Sequence, residues 1–286
     1  MVDIFTGKTG IMDYLKKNNL EEISKCLRET KGSKVLAGGT DLLVHRRHKR
    51  LMPSMVIDIK DIDDLKKIKL EDNYLLIGAC TSLNTIIENS IISEKCNILK
   101  QAAEYVACHQ IRNRATIGGN ICNASPAADM SPPLYCLDAI FTYYQDGNYL
   151  DVKAKEFFKG PGQTVLKDDA ILCYFKIPVS KLNAQSRYLR HSRRNALDLS
   201  AVGVAALKSD NEYAIALGSV APTVIRVYDA EEILNKEGLT EDSIHKASEI
   251  AANTCKPISD LRASKEYRKE MVYVYTQRAL KGLMEG

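Results

Sequence analysis

The sequence predicts an α+β protein of two domains. The chain has 286 residues, a length that suits two domains, or one domain with a substantial appendage, better than one small core. In its first part, short β-branched runs alternate with helical patterns. After Pro178 the pattern changes to successive strands followed by helices. We therefore place a boundary at 176–182, between a domain of residues 1–177 and a smaller domain of residues 182–286.

The first domain is predicted to alternate strands and helices. Apolar, β-branched runs predict the strands, and Pro178 ends the last of them because proline has no backbone N–H to donate. Helical spacing and capping residues predict the helices between them. The predicted strands are KVL (34–36), MVIDIK (55–60), YLLIGAC (74–80) and AILCYFKIP (170–178). Three helices are predicted: one begins at Asp41, one follows a cap at Thr81 or Ser82, and one covers 97–107. The run LYCLDAIFTYY (134–144) is predicted to be the end of a helix that continues into a strand.

The second domain is predicted to be an antiparallel sheet followed by two or three helices. The runs RYLR (187–190), SAVGVAAL (200–207) and YAIALGSV (213–220) are typical of successive strands. The last helix, over 264–283, is predicted to carry Tyr267, Met271 and Val274 on one face.

Composition excludes several classes of protein. Apolar residues make up 45% of the chain, charged residues 27%, and the net charge is +4. This excess is too small to indicate a nucleic-acid partner by bulk electrostatics. No apolar run approaches the roughly 18–20 residues that span a bilayer. The start, MVDIFTGKTG, lacks the basic and apolar regions of a secretory signal, so we expect a cytoplasmic protein without a membrane segment.

The eight cysteines do not form a metal-binding or iron–sulfur pattern. They make no CxxC pair, and the closest two, Cys96 and Cys108, are twelve positions apart. We expect most of them to be small buried apolar residues in a reducing compartment. None of the five histidines has metal-ligand spacing either, and Cys108 and His109 are adjacent, so they are not expected to act as a nucleophile–base pair.

Two glycine-rich segments are the main candidates for ligand binding. The first glycine segment is VLAGGTDL (35–42), and the second glycine segment is TIGGN (116–120). Glycine permits positive φ and a close approach of a ligand to backbone N–H groups, which can form an anion nest. A diphosphate held between both segments is therefore plausible. Neither segment is a Walker A or GxGxxG motif, and tight turns alone are the competing explanation.

Several polar residues near these segments have two interpretations. Asp129 is predicted either to accept hydrogen bonds from ligand hydroxyls or to cap a helix that starts near Ser125-Pro126. The basic run HRRHKR (45–50) is interpreted as the solvated face of a helix whose Leu42 and Leu43 turn inward, with phosphate contact as the alternative. Arg112 and Arg114 are interpreted either as residues that screen the charge of a diphosphate or as residues that pair with acidic side chains at an interface.

Four motifs in order resemble the FAD-binding subunit of the molybdenum hydroxylases, the xanthine dehydrogenase family. They are LAGGTDLL (36–43), QIRNRATIGGNICNASPAAD (110–129), FFKGPG (157–162) and RASKEYR (262–268). The resemblance extends over nearly the whole chain. It implies a PCMH-type FAD-binding domain of two α+β subdomains, followed by a smaller α+β domain with an antiparallel sheet and helices.

The resemblance also implies which residues bind FAD. The two glycine segments would surround the diphosphate, Asp129 would hydrogen-bond a cofactor hydroxyl, and Ile117 and Val106 would lie near the flavin. Leu172 and Arg190 fall where the family contacts flavin, and Tyr188 would shield the ring face. The implied set is Val35, Leu36, Ala37, Gly38, Gly39, Thr40, Asp41, Leu42, Val106, Thr116, Ile117, Gly118, Gly119, Asn120, Asp129, Leu172, Tyr188 and Arg190.

Three departures from the wider superfamily refine these expectations. Neither glycine segment contains a histidine, so we expect non-covalent FAD. The chain lacks clustered cysteines, so no iron–sulfur cluster is expected on it. Cys108-His109 stands where the family often has Gly-Pro, so the chain departs from the family beside the flavin pocket near residue 108.

The resemblance implies an electron-transfer subunit of a heterotrimer, with no catalytic side chain of its own. A molybdopterin-binding large subunit would carry the molybdenum cofactor and hydroxylate a purine or similar heterocycle, and a small subunit would carry [2Fe–2S] centres. Electrons would reach this chain's FAD and then NAD⁺ or another acceptor. The alternatives are a self-sufficient flavin oxidase, which needs a larger substrate domain, and a non-catalytic nucleotide- or anion-binding module, whose binding would depend steeply on salt.

Overall fold

A computed structural model of the chain describes residues 12–194, 197–210 and 212–284. It confirms an α+β fold with two subdomains in the first part and a sheet-and-helix domain in the second. The N-terminal run MVDIFTGKTG lies outside the described residues.

The first subdomain is a small parallel sheet with one helix packed on it. Its elements are β1 (Asp13–Lys16), α1 (Leu20–Glu29), β2 (Lys34–Leu36), α2 (Leu42–Arg47) and β3 (Met55–Asp58). The strand order is β1–β3–β2, so β2 is an edge strand. Helix α1 begins where the side chain of Asn19 accepts a hydrogen bond from the Glu22 N–H at 3.1 Å, and it buries Ile23 and Leu27 one turn apart.

The second subdomain is an antiparallel sheet covered by short helices. Its elements are β4 (Ile68–Glu71), β5 (Tyr74–Gly78), α3 (Leu83–Glu88), α4 (Ser90–Lys95), α5 (Asn97–Tyr105), α6 (His109–Arg112), α7 (Ile117–Cys122), α8 (Ser131–Cys136), β6 (Ile140–Gln145), β7 (Asn148–Lys153), α9 (Ala154–Phe157), β8 (Phe158–Gly160), β9 (Gln163–Thr164) and β10 (Ile171–Pro178). The main sheet has the order β4–β5–β10–β6–β7, and β8 pairs with β9 separately. A 3₁₀ turn at Asp63–Lys66 joins this sheet to the first subdomain.

The C-terminal domain is an antiparallel sheet followed by three helices, where the sequence predicts two or three. Its elements are β11 (Gln185–His191), β12 (Val202–Ser209), β13 (Glu212–Gly218), β14 (Ile225–Arg226), α10 (Tyr228–Glu237), α11 (Glu241–Thr254) and α12 (Lys265–Lys281). The strands follow one another in the order β11–β12–β13–β14. The helices pack on this sheet around a second apolar core.

The two domains share an apolar core. Leu134 and Phe141 of the first domain belong to the same buried cluster as Ala205 and Ala216 of the second. The contact is close at Gly218, where an added Cβ would lie 2.8 Å from the Pro132 side chain. The interface between the domains is therefore packed like a protein interior.

Helix α12 buries a different face from the predicted one. Its buried residues are Arg268, Val272, Thr276, Ala279 and Leu280, whereas Tyr267 is exposed and Met271 and Val274 are only partly buried. The buried face is displaced by about one residue because Arg268 enters the core. There its Nη1 donates to the Ala201 and Ser219 carbonyls, and its Nη2 to Asp260. Apolar spacing alone does not indicate a buried arginine.

Two further local predictions are wrong. Helix α2 has no buried residue, and Leu43 and Val44 are exposed, so Leu43 does not turn inward. No helix starts at Ser125-Pro126, which forms a turn in which the Ser125 Oγ accepts from the Ala127 N–H at 3.2 Å. The next helix, α8, follows Met130, so Asp129 is not its N-cap residue. The capping explanation for Asp129 is thereby removed.

Candidate functional site

A large cleft runs between the two subdomains and reaches the C-terminal domain. Its volume is about 1210 Å³, above the roughly 300–1,000 Å³ of pockets for drug-sized ligands. Fourteen of the eighteen predicted site residues line it, whereas Leu36, Ile117, Tyr188 and Arg190 lie behind its surface. The fourteen are Val35, Ala37, Gly38, Gly39, Thr40, Asp41, Leu42, Val106, Thr116, Gly118, Gly119, Asn120, Asp129 and Leu172.

The first glycine segment forms a turn with free donors at the edge of the parallel sheet. It continues from the edge strand β2, and Gly39 has a φ of +76° that favours glycine. No residue that the structure describes accepts a hydrogen bond from the backbone N–H groups of Gly38, Gly39 and Thr40. Adjacent free N–H groups around a left-handed residue are the arrangement of an anion nest.

Through Gly38, the first glycine segment packs closely against the backbone that leads into the second. A Cβ on Gly38 would lie 2.0 Å from the Arg114 carbonyl oxygen and 3.0 Å from Ala115 Cα, directly before the second segment. These neighbours are backbone atoms and cannot rotate away. Glycine at this position therefore sets the spacing between the two segments.

The second glycine segment is the start of helix α7 and not an open loop. Thr116 is its N-cap residue, and its Oγ1 accepts from the Gly119 N–H at 3.0 Å. The N–H groups of Ile117 and Gly118 donate to the carbonyls of Thr81 and Ala79. The expectation of an anion nest here is therefore wrong, because the protein already uses these three donors.

The glycine at position 118 is explained by close packing, and Asn120, two residues later, offers a polar group at the cleft. A Cβ on Gly118 would lie 2.6 Å from the Ala79 carbonyl oxygen, so this glycine lets α7 pack against the segment after β5. The Oδ1 of Asn120 is buried and has no hydrogen-bond partner among the residues that the structure describes. An unpaired amide oxygen on a cleft wall is available to a donor on a ligand.

Asp129 lies at the end of the cleft nearest the C-terminal domain. Its side chain is only 9% exposed, and its Oδ1 accepts a hydrogen bond from the Tyr188 hydroxyl at 2.8 Å. The Nε of Arg190 lies 3.6 Å from the same oxygen, which is an ion pair but too long for a hydrogen bond. Strand β11 supplies both partners, since Tyr188 and Arg190 are two residues apart and share one face of the strand.

Burial raises the pKa of Asp129 to about 6, because a charged carboxylate is less stable away from water. Arg190 and the Tyr188 hydroxyl act in the opposite direction by favouring the charged form. At neutral pH the carboxylate is therefore ionised, and this depends on its two partners.

The apolar residues predicted to border the ligand lie at different depths. Val106 and Leu172 line the cleft. Ile117 is fully buried, and Tyr188 is 3% exposed behind Asp129. Tyr105 is the more exposed aromatic residue at this end, and its ring packs edge-on against Tyr188 at 5.8 Å between centroids.

Comparison with known proteins identifies the family of the chain. Residues 8–180 match the family described as FAD binding domain in molybdopterin dehydrogenase, and residues 187–283 match the CO dehydrogenase flavoprotein C-terminal domain. The chain belongs to this family. Its relatives include a xanthine dehydrogenase FAD-binding subunit from Escherichia coli O157:H7, at 34% identity over 93% of this chain and 94% of the relative.

Other relatives and a solved structure agree with this assignment. The carbon monoxide dehydrogenase medium chain of Hydrogenophaga pseudoflava is 30% identical over 87% of this chain and 88% of the relative. A solved structure of carbon monoxide dehydrogenase from the same organism matches with a TM-score of 0.92 and 29% identity, covering 97% of this chain and 98% of that one. The chain is thus an FAD-binding subunit of the molybdopterin dehydrogenase family, as its four motifs predict.

The residues of the cleft fit the FAD that this family binds. A diphosphate needs N–H donors, which Gly38, Gly39 and Thr40 supply, and hydroxyl groups need acceptors such as Asn120 Oδ1 and Asp129. The volume also suits a dinucleotide better than a small substrate. No helix in the described part of this FAD-binding subunit has the length and apolar character to cross a membrane.

Apart from Leu172, the cleft residues that follow position 158 were not predicted from the sequence. Lys159 and Gly162 line this part of the cleft, and both belong to the FFKGPG motif that carried the resemblance. That motif was therefore the available signal. No comparable signal marked the pair formed by Lys34 and Asp168, whose Nζ and Oδ1 are 3.1 Å apart on the cleft wall, because these residues are 134 positions apart.

Within the described part of the chain, the cleft holds a buried thiol at Cys80 and no cluster of metal ligands. Burial raises the pKa of the Cys80 thiol to about 12, so it stays protonated at neutral pH. Within residues 12–194, 197–210 and 212–284, no group of three or more His, Cys, Asp and Glu side chains is arranged to hold a metal ion.

Proposed function

We propose that this FAD-binding subunit transfers electrons within a multi-subunit molybdenum hydroxylase. The observation that carries the proposal is the close packing of Gly38 against Arg114 and Ala115, directly before the second glycine segment. It sets the free N–H groups of Gly38, Gly39 and Thr40 beside a cleft that also holds Asn120 and Asp129. When bound there, FAD supplies reversible one- and two-electron redox chemistry.

Most of the predicted residues have a proposed role in holding FAD. The segment from Val35 to Leu42 holds the diphosphate, with its N–H groups as donors. Thr116 fixes the start of α7 and so directs Gly119 and Asn120 toward the cofactor. Asp129 accepts a hydrogen bond from a cofactor hydroxyl.

Apolar residues border the flavin in this proposal. Val106 and Leu172 contact the ring system, and Ile117 supports the wall from behind. Tyr188 lies behind Asp129 and holds it through its hydroxyl, so it does not itself shield the ring face. The binding is non-covalent, since neither glycine segment contains a histidine.

The partners are a molybdopterin-binding large subunit and a small subunit with [2Fe–2S] centres, together forming a cytoplasmic heterotrimer. Relatives named as medium chains and FAD-binding subunits, matched over nearly their full length, support this assembly. Electrons from the iron–sulfur partner reach FAD on this chain and pass to NAD⁺ or another acceptor.

Visible absorption of the purified chain tests the proposal. We expect an oxidised-flavin band in a 1:1 ratio to protein after reconstitution with FAD, and its full release into the supernatant after acid precipitation. Gly119→Asp places a carboxylate at the cleft and is expected to abolish the band. Gly147→Asp is the matched control, because Gly147 lies outside the cleft with open space around it, and aspartate is among the residues that best tolerate its positive φ of +80°. A wild-type chain that stays colourless with excess FAD contradicts the proposal, and a yellow pellet contradicts non-covalent binding.

A further inference from the structure

Arg190 joins three separate segments at the end of the cleft. Its Nη1 donates to the Tyr105 carbonyl oxygen at 2.8 Å, at the end of α5, and its Nη2 donates to the Asp198 carbonyl oxygen. Its Nε faces Asp129 at 3.6 Å. The side chain is only 4% exposed and does not line the cleft, although Asp129 and Asp198 do.

Three of the five N–H groups of Arg190 are directed at protein oxygens, and the residue does not line the cleft. Both Nη atoms have carbonyl acceptors, and the Nε has no hydrogen-bond partner among the described residues and points to Asp129. Asp129 therefore lies between Arg190 and the ligand space. Its Oδ1 already accepts from Tyr188, whereas no described residue donates a hydrogen bond to its Oδ2, which remains available to a ligand hydroxyl.

We propose that Arg190 is a positioning residue for FAD that acts through Asp129. It keeps the buried carboxylate charged and oriented, so that Asp129 can accept a hydrogen bond from a cofactor hydroxyl. The inference rests on the proposed function, because it assumes that FAD occupies the cleft. It differs from the role that the resemblance implied for Arg190, which was a direct contact with flavin.

The mechanism makes the affinity for FAD depend on pH. The groups that face Asp129 are Tyr188 and Arg190 from β11 and, next to both, Tyr105 from α5, while Asp198 lies on the far side of Arg190. A protonated Asp129 is a weaker acceptor than the carboxylate. The affinity is therefore high above the pKa of Asp129 and falls as the pH decreases through it. Without Arg190 this pKa rises, so the fall begins at a higher pH.

The test is the Kd of FAD, measured by quenching of flavin fluorescence between pH 5 and 8.5. For the wild type, we expect the Kd to rise by up to about tenfold per pH unit below the midpoint. Arg190→Gln should move the midpoint upward by about one pH unit or more, and Arg190→Lys should restore it partly because the cation is kept. Asp129→Asn should give a weakened Kd that no longer changes with pH.

The double variant Arg190→Gln/Asp129→Asn distinguishes action through Asp129 from direct contact. If Arg190 acts through Asp129, the double variant binds FAD as Asp129→Asn does. A further loss of tenfold or more in the double variant, or an unchanged midpoint in Arg190→Gln, overturns the proposal. A wild-type chain that binds no FAD at any pH overturns the proposed function itself, which is a different result.

Arg226 provides a matched control for loss of contact between the domains. It also bridges them, since its Nη1 donates to the Tyr135 carbonyl oxygen at 2.7 Å and to Asp138 at 2.9 Å, but it lies outside the cleft. Arg226→Gln is expected to lower the thermal midpoint while leaving the pH midpoint for FAD unchanged. A shift of that pH midpoint equal to the shift in Arg190→Gln would mean that domain contact alone explains the effect.

Discussion

Single glycines set the geometry of the cleft through backbone contacts that no side chain could replace. At Gly38, any side chain would overlap the Arg114 carbonyl group, and at Gly118 it would overlap that of Ala79. Overlap with backbone atoms requires whole segments to move, because a backbone carbonyl has no alternative rotamer. Gly38 and Gly118 therefore set the distance between the two glycine segments, where we propose that the diphosphate of FAD binds.

Gly38→Ala is expected to separate the two glycine segments. The added methyl group would lie 2.0 Å from a carbonyl oxygen, and overpacking of this kind typically costs about 1–3 kcal/mol. We expect a lower thermal midpoint and a Kd for FAD at least tenfold higher, measured by fluorescence titration. Gly160→Ala is the control, because its Cβ would meet Gln163 at an ordinary 3.5 Å. Equal effects of both substitutions on FAD binding would refute this role of Gly38.

Asp129 is expected to lower the stability of the FAD-free chain at neutral pH. Its folded-state pKa of about 6 exceeds the ordinary value of 3.8, so stability falls as the pH rises from about 4 to 6 and stays lower above that. Asp129→Asn removes the buried charge and should stabilise the free chain by up to about 3 kcal/mol at pH 7. Thermal unfolding at pH 7 and pH 4 checks this, since the gain should vanish at pH 4. Equal gains at both pH values would contradict it.

Part of the site could be predicted from single residues, and part could not. The glycine pairs and Asp129 stand out in the sequence together with the family motifs. The occupied N–H groups of Ile117 and Gly118 do not, because they donate to the carbonyls of Thr81 and Ala79, far earlier in the chain. The unpaired Oδ1 of Asn120 does not either, because it depends on which donors the fold brings near it. Local sequence indicates which residue types are present, but tertiary contacts decide which hydrogen-bonding groups remain free.

At the scale of elements, short capped helices present the ligand-facing residues. Helix α7 has only six residues, which is too short to be stable alone, so its cap and its packing hold it in place. The Thr116 hydroxyl caps it, and its first turn is fixed to the carbonyls after β5. The helix thus aligns Gly119 and Asn120 with the first glycine segment.

Thr116→Ala is expected to weaken both the fold and FAD binding. Loss of an N-cap hydroxyl costs about 1 kcal/mol, and the Gly119 N–H would lose its acceptor at 3.0 Å. Ser264→Ala is the matched control, since Ser264 caps α12 by accepting from the Tyr267 N–H at 3.1 Å, away from the cleft. We expect similar losses in urea unfolding but a higher Kd for FAD only in Thr116→Ala. A raised Kd in Ser264→Ala as well would show that general destabilisation is responsible.

The elements themselves were largely predictable, since β-branched runs and caps mark most strands and helices here. Two of the exceptions share a physical cause, since in each a polar side chain finds its hydrogen-bond partners in a distant part of the sequence. Arg268 turns α12 toward the core because carbonyls of β12 and β13 neighbours accept its N–H groups. Asp129 does not cap a helix, and its side chain instead contacts Tyr188 and Arg190 of β11. Sequence periodicity carries no information on such long-range pairings.

At the scale of the whole molecule, the cleft depends on two domains that share one apolar core. The buried cluster that includes Leu134 and Phe141 continues into β12 and β13, and buried arginines cross the interface at two places. Domains joined by a large apolar interface are not expected to move independently. The sequence predicts two successive domains, because the pattern of strands and helices changes near Pro178. It does not predict that the two domains share one apolar core.

We expect one cooperative thermal transition for the whole chain. Unfolding either domain exposes the shared core, so neither domain should unfold first. FAD at about 100 times its Kd adds roughly 2.7 kcal/mol and should raise the midpoint by roughly 5 °C. Differential scanning calorimetry with and without FAD measures both effects. Two separate transitions in the absence of FAD would show that the domains are energetically independent.

The most direct test of the central claim is a calorimetric titration of the FAD-free chain with FAD, with riboflavin as the comparison ligand. The claim is that the free N–H groups of Gly38, Gly39 and Thr40 hold a diphosphate. It predicts 1:1 binding of FAD, at least about 100-fold tighter than riboflavin, which lacks the diphosphate and the adenosine. Addition of ADP should compete with FAD. Equal affinities for FAD and riboflavin, with no competition from ADP, would contradict the account.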